Sequence, residues 1–291
     1  MWNKHVRMAL LGAGLLALAA CQKMTMENGT PALRQGMYTL TVEATKGADT
    51  KSLDLSGSSL NATWENGETV AVYLGGQYLG DLTATVSGAS SHTASLSGTL
   101  NSATGIEENA VLTLLFPSDE WSYTGQRGTL VGISCNYDYA LASVTIQSID
   151  VNGQITTSAN AVFSNQQSVY RFSFVKDGNP FNAAYFTVSA KSGKLVASRS
   201  YSGGWVSSFG PVDVSLGKES STAYVALRND NTSANDTYSF DVTDTKNAVY
   251  VGGKSIASEH LGNGKYLGAD VELTQARVSK AAGSLSKENI L

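Results

Sequence analysis

From Gly36 onward the chain alternates apolar and polar positions with a period of two. Tyr38, Leu40 and Val42 stand between Thr39, Thr41 and Glu43. Val70, Val72 and Leu74 frame Ala71 and Tyr73, and Tyr170, Phe172 and Phe174 frame Arg171 and Ser173. Such alternation sends successive side chains to opposite faces of a half-buried strand. The rhythm predicts further strands around Val144–Val151, Tyr185–Ala190, Ala223–Leu227, Tyr238–Val242, Ala248–Val251 and Tyr266–Leu273. Turn signals separate them: Glu65-Asn66-Gly67, Leu74-Gly75-Gly76, Asn152-Gly153, Asp177-Gly178-Asn179-Pro180, Gly203-Gly204, Gly252-Gly253 and Gly262-Asn263-Gly264. Many short strands punctuated in this way predict an all-β chain of sandwiches or barrels. No amphipathic helix is evident in the strand-bearing part. The end, Ala276 to Leu291, reads as a short helix or a loose terminus.

A different pattern opens the chain. Met8 to Ala20 is a continuous apolar run, preceded by the short basic stretch Trp2-Asn3-Lys4-His5-Val6-Arg7. A charged start, an apolar run and small residues at its end make a secretory signal. The run falls short of the about 20 apolar residues a membrane span needs. It stops at Leu18-Ala19-Ala20-Cys21, which resembles the lipobox of bacterial lipoproteins. That resemblance implies cleavage before Cys21 and acylation of its thiol, palmitate included, with several acyl chains giving stable anchoring. Residues 1–20 are therefore expected to be the signal peptide and 21–35 a polar tether. Two domains follow, 36–165 and 166–274, divided near Phe163–Ser168 and each of ordinary domain size. Residues 275–291 form a tail.

Composition changes the picture in two places. The formal charge of −4 becomes −6 once Lys4 and Arg7 leave with the signal. With no basic stripe, nucleic acid is not the expected partner. The chain has two cysteines. With Cys21 lipidated, Cys135 has no partner for an intrachain disulfide despite export. It is expected to pack as a small apolar residue. Stability must then come from a packed core.

Catalytic signatures are sparse. His92 and His260 lie in polar, turn-like stretches, and no G-x-S-x-G marks a serine nucleophile. No Cys/His cluster has zinc spacing. Glu107-Glu108 and Asp119-Glu120 are the paired carboxylates, with nothing to assign them to glycoside cleavage. The acidic residues Asp230, Asp236, Asp241 and Asp244 lack calcium-loop spacing and read as turn residues. Trp64, Trp121 and Trp205 could stack on sugars, although a tryptophan in a β-sandwich is more often core. Neither an enzyme nor a cofactor is expected.

Several stretches carry a resemblance over most of the mature chain. They are "LNATWENGETVAVYLGG" (Leu60–Gly76), "NAVLTLLFPSDEWSYTGQRGTL" (Asn109–Leu130), "YDYALASVTI" (Tyr137–Ile146), "AVFSNQQSVYRFSF" (Ala161–Phe174), "TAYVALRND" (Thr222–Asp230) and "NGKYLGADVEL" (Asn263–Leu273). The chain resembles the fimbrillin-like (Mfa-like, type V pilin) lipoproteins of Gram-negative anaerobes. The resemblance implies two transthyretin-like β-sandwich domains in tandem and a role as stalk, anchor or tip of a surface fimbria. It implies location at the cell outer membrane and in the fimbrium, with other pilin subunits and a trypsin-like processing protease as partners. In such proteins proteolysis removes the lipidated segment with a strand of the first domain, and a neighbour's strand fills the groove. Here the candidate removable strand is Tyr38 to Ala44, carrying Tyr38, Leu40 and Val42. The candidate processing sites are Lys46 and Lys51, placed in a polar, Gly-containing loop. Both are lysines where the family often carries arginine, and Arg34 precedes the strand. An uncut member would serve as an anchor. The segment after Leu273 reads as a donor strand or a loose terminus. The alternative function is an outer-membrane lipoprotein that binds a glycan or host ligand.

Overall fold

The computed structural model describes residues 36–46, 55–56, 59–60, 63–88, 91–118 and 120–276. The expected signal, Cys21, the tether, Lys51 and the tail beyond Ala276 lie outside the described residues. The first half comprises β1 (Gly36–Lys46), the short hairpin β2 (Leu55–Ser56) and β3 (Ser59–Leu60), β4 (Thr69–Leu74), β5 (Gln77–Thr85), β6 (Thr93–Ser102), β7 (Val111–Phe116) and β8 (Trp121–Ser122). Helix α1 (Leu130–Asn136), β9 (Ala140–Ile149), β10 (Gln154–Thr157) and β11 (Ala161–Asn165) complete it. Then come β12 (Ser168–Lys176), β13 (Asn179–Pro180), β14 (Ala183–Ala190), β15 (Val196–Tyr201), β16 (Trp205–Phe209) and β17 (Val212–Ser220). The last elements are β18 (Thr222–Leu227), β19 (Asp236–Thr243), β20 (Val249–Ile256), a 3₁₀ turn at Ser258–His260, and β21 (Tyr266–Gln275). The fold is all-β, as the alternation predicts.

The first sheet runs β10-β1-β11-β9-β7-β4-β5-β6, and β1 pairs β6, so the ring closes. Closure removes the exposed edges of an open sheet. Inside lies a core that includes Leu40, Trp64, Val72, Leu96, Leu114, Val144 and Phe163. Trp64 meets Phe116 and Phe163 edge-on at 5.3 and 5.1 Å. Trp64 is thus a core tryptophan.

The second sheet runs β13-β12-β21-β20-β19-β14-β17, with β18 on the other side of β12. It repeats the plan of the first. The opening strand β12 is antiparallel to β18 and parallel to the closing strand β21, as β1 is antiparallel to β6 and parallel to β10 and β11. Its core is aromatic: Phe172 and Phe174 contact Phe240 edge-on at 4.8 and 6.2 Å. No ladder joins β17 to β18, so this sheet is open on one side.

A segment from the first half fills that opening. Gly125 and Gln126 N–H groups donate to Asp213 O, Ser215 N–H donates to Gln126 O, and Tyr224 N–H donates to Gly128 O. The wholly buried Gln126 side chain acts as a short strand. Its Oε1 accepts from Ala226 N–H at 2.9 Å, and its Nε2 donates to Ala226 O at 2.7 Å and Tyr123 O at 2.8 Å. Every amide group it meets is thereby paired, as buried polar groups require. The two sheets also meet at turns. Gly75 and Gly76 form a two-residue hairpin turn with positive φ at both. A Cβ on Gly76 would fall 2.1 Å from Gly203 Cα in the β15–β16 turn.

Three expectations need correction. Gly252 and Gly253 are not a turn; they lie inside β20, where a Cβ on Gly252 would sit 2.8 Å from Glu272 O. Gly252 thus serves a close approach to β21. Cys135 does not pack inward but is exposed on α1, because the single inward position of that short helix is Ile133. The helix itself was not expected. It begins where the Thr129 hydroxyl caps Gly132 N–H at 3.0 Å, and it is too short to show a period.

Candidate functional site

The candidate removable strand is β1, and its sequence explains its place. Tyr38, Leu40, Val42 and Ala44 are buried, each at 4% exposure or less, while Met37, Thr39, Thr41 and Glu43 face out. Ten residue pairs join it to β6, from Gly36↔Ser102 to Thr45↔Thr93. On its other edge it pairs β10 through Thr39↔Gln154 and Leu40↔Ile155, and β11 from Ala44↔Ala161 to Lys46↔Phe163. The Tyr38 hydroxyl accepts from Ile106 N–H at 3.3 Å, tying the strand to a loop across the barrel mouth. β1 is therefore bonded along both edges and closes the ring.

The structure places Lys46 differently from the sequence reading. It is not in a polar loop; it is the last residue of β1, 3% exposed. The alternation that buries Tyr38, Leu40, Val42 and Ala44 continues one step further and carries Lys46 inward. Its ammonium lies 2.9 Å from Glu68 Oε2 and 3.2 Å from Thr63 O. It also sits 3.9 and 3.8 Å from the ring centres of Trp64 and Phe116. A buried cation is tolerable when paired and hydrogen-bonded, and aromatic faces add attraction. The charge of Lys46 is thus a packing element of the barrel end. A protease reaches its side chain only when this end of β1 leaves the barrel. Lys51 and Cys21 lie outside the described residues.

The remaining residues singled out in the sequence scatter. His92 is exposed beside β6, and His260 is exposed in the 3₁₀ turn. Among the described residues no three His, Cys, Asp or Glu come together as a metal site. Asp236 is structural. Its carboxylate accepts from Ser192 Oγ at 2.5 Å, Asn229 Nδ2 at 2.8 Å and the backbone N–H groups of Ser192 and Thr237. Burial pushes its pKa up, but those hydrogen bonds outweigh burial and hold it below the ordinary value.

Sequence reasoning missed two polar side chains that the fold buries. One is Gln126, described above. The other is Arg199 on β15, 6% exposed and stacked 4.1 Å from the Trp205 ring centre. Neither sits in a recognisable motif.

The chain matches no family model and no curated protein in sequence. Its fold is similar to solved structures of fimbrial and cell-adhesion proteins from Bacteroidales. One, from Bacteroides ovatus and described as a candidate cell adhesion protein, is 11% identical. That match covers 84% of this chain and 97% of the other, with a TM-score of 0.44. The tip fimbrial protein Mfa3 from Porphyromonas gingivalis, truncated at its C-terminus, is 12% identical. There the coverage is 75% and 81%, with a TM-score of 0.35. A fimbrial protein from Bacteroides ovatus is 12% identical over 82% of this chain and 50% of its own, with a TM-score of 0.33.

Proposed function

We propose that this chain is a structural subunit of a surface fimbria, exported as a lipoprotein precursor and joined to its neighbours by strand addition after N-terminal proteolysis. One observation carries the reading: the first described strand is also the strand that closes the first barrel. β1 precedes every other described strand, and a cut at Lys51 falls before the next one, β2. Its departure leaves β6 on one side and β10 with β11 on the other, both with unpaired backbone groups. It also leaves a row of vacated inward positions at Tyr38, Leu40, Val42 and Ala44. A groove with free main-chain groups and alternate side-chain pockets is what strand addition requires. The burial of Lys46 favours Lys51 as the residue a trypsin-like protease cuts. The lipid on Cys21 then serves as the address of the precursor at the outer membrane.

Intact mass and N-terminal sequencing of the protein from assembled fimbriae test this. The expected mature chain begins at Ser52. A fimbrial subunit that still begins at acylated Cys21 retains β1, and polymerisation through the β1 groove is then wrong.

A further inference from the structure

Where the two sheets meet, a cleft of about 390 Å³ opens beside the β15–β16 hairpin. That size falls at the low end of the about 300–1,000 Å³ usual for small-molecule pockets. Its walls come from both halves. Tyr73 on β4 and Glu120 before β8 belong to the first; Arg199, Tyr201 and Trp205 belong to the second. The aromatic rings form a continuous surface. Tyr73 meets Tyr201 edge-on at 5.1 Å, Tyr201 meets Trp205 at 5.2 Å, and the buried Trp121 backs Trp205 at 4.5 Å. Tyr73, Tyr201 and Trp205 keep part of their surface open, so the platform is accessible.

Arg199 is the odd member. Its guanidinium lies over Trp205, yet its buried Nε and Nη1 have no hydrogen-bond partner among the described residues. Asp230, whose negative charge acts on Arg199, is already held by Arg228 Nε at 2.8 Å. Arg228 also spends Nη1 on Gln166. Burial, followed by the like charge of Arg228, lowers the pKa of Arg199, but an arginine stays charged in a protein. A buried cation with unsatisfied N–H groups is costly to fold around. Stacking on Trp205 fixes the plane of the guanidinium, and Nη2 makes a carboxylate-binding edge with either unpaired atom.

We infer that this cleft binds an acidic sugar residue, its carboxylate on the Arg199 guanidinium and its ring against Tyr73 and Tyr201, the faces of Trp205 being taken by Arg199 and Trp121. Aromatic faces suit the apolar face of a pyranose, and a planar fork suits a uronic or sialic carboxylate. Glu120, the exposed carboxylate at the rim, accepts from sugar hydroxyl groups, which a ligand bearing only a carboxylate does not offer. The site is separate from the β1 groove and stands whether or not the chain polymerises.

Isothermal titration and tryptophan fluorescence on the purified folded chain test it. D-glucuronate and N-acetylneuraminate are the probes, with glucose and acetate as controls. At least one acidic sugar is expected to bind saturably, and both controls more weakly. Arg199→Met should weaken binding about 10- to 100-fold, the worth of hydrogen bonds to a charged partner. It should not lower thermal stability, since it removes an unpaired buried cation. Arg199→Lys, which keeps charge but loses the fork, should also bind more weakly than the native chain. Binding of neither acidic sugar overturns the inference. So does glucose or acetate binding as well as the acidic sugars, or a saturable affinity that both Arg199 variants leave unchanged.

Discussion

Lys46 shows how one residue type misleads when its neighbours are not known. A lysine followed by glycine reads as solvated loop, yet its ammonium is enclosed by Glu68, Thr63 O, Trp64 and Phe116. Removing one partner of a buried ion pair is more damaging than replacing the cation by an apolar side chain of similar length. Glu68→Ala should therefore destabilise the chain by about 3 kcal/mol, the low end of the usual penalty because Glu68 is partly exposed. Lys46→Met should cost clearly less. Urea denaturation of the two variants checks this, and the reverse order would mean that the ammonium, not its environment, supplies the stability. Asp236 makes a prediction of a different kind. Burial raises its pKa, but the hydrogen bonds from Ser192, Asn229 and Thr237 lower it further, so the folded value lies below the unfolded one. Stability from such a group is present above the ordinary carboxylate pKa, near 3.8, and is lost as pH falls through the folded value. Asp236→Asn should be less stable than the native chain at neutral pH. The gap should shrink between about pH 5 and pH 2. Thermal midpoints measured across that range test it; a gap independent of pH would refute the sign.

At the scale of elements, legibility followed the side chains that carry the alternation. β1, β4, β12, β14, β18, β19 and β21 are readable because Val, Leu, Ile, Phe or Tyr recur at every second position. β6 reads Thr-Ala-Ser-Leu-Ser-Gly-Thr-Leu-Asn-Ser, with few large apolar residues to mark its inward face. β15 and β16 are rich in serine, which blurs the alternation of their few large side chains. Gly252-Gly253 mimics a turn because close strand approach and tight turning both demand glycine. The segment around Gln126 was illegible for another reason: its partners, Asp213, Ser215 and Ala226, lie about 90 to 100 residues away. That segment behaves as a built-in strand for the second sheet. Gln126→Ala would leave Ala226 N–H and C=O buried and unpaired, at about 1–3 kcal/mol for each group. The expected result is a loss of about 2–4 kcal/mol in chemical denaturation, with amide exchange accelerating first at Ala226 and Tyr224. Unchanged protection there would show that water replaces the glutamine at no cost.

For the whole molecule, each of the two large sheets is completed by one bridging segment. In the second sheet the completing segment is tied at both ends and stays. In the first it is β1, the first of the described strands, which the proposed cut at Lys51 would remove. The vacated groove has a definite code, large at Tyr38, medium at Leu40 and Val42, small at Ala44, and a cation at Lys46. Burying a leucine or valine side chain contributes about 1.5–3 kcal/mol, so the inward positions set much of the affinity of any entering strand. A chain beginning at Ser52 should therefore bind a synthetic peptide of sequence GMYTLTVEATK, residues 36–46, with a rise in thermal midpoint. Leu40→Asp in the peptide should abolish the rise, because a carboxylate would enter the core at a position with no exposure. Thr41→Asp, one residue further and facing solvent, should preserve it. Lys46→Asp should weaken binding, since it would face Glu68 with like charge. Equal effects at Leu40 and Thr41 would mean that the peptide does not bind as the missing strand, and the groove would lose its claim to be the joint between subunits.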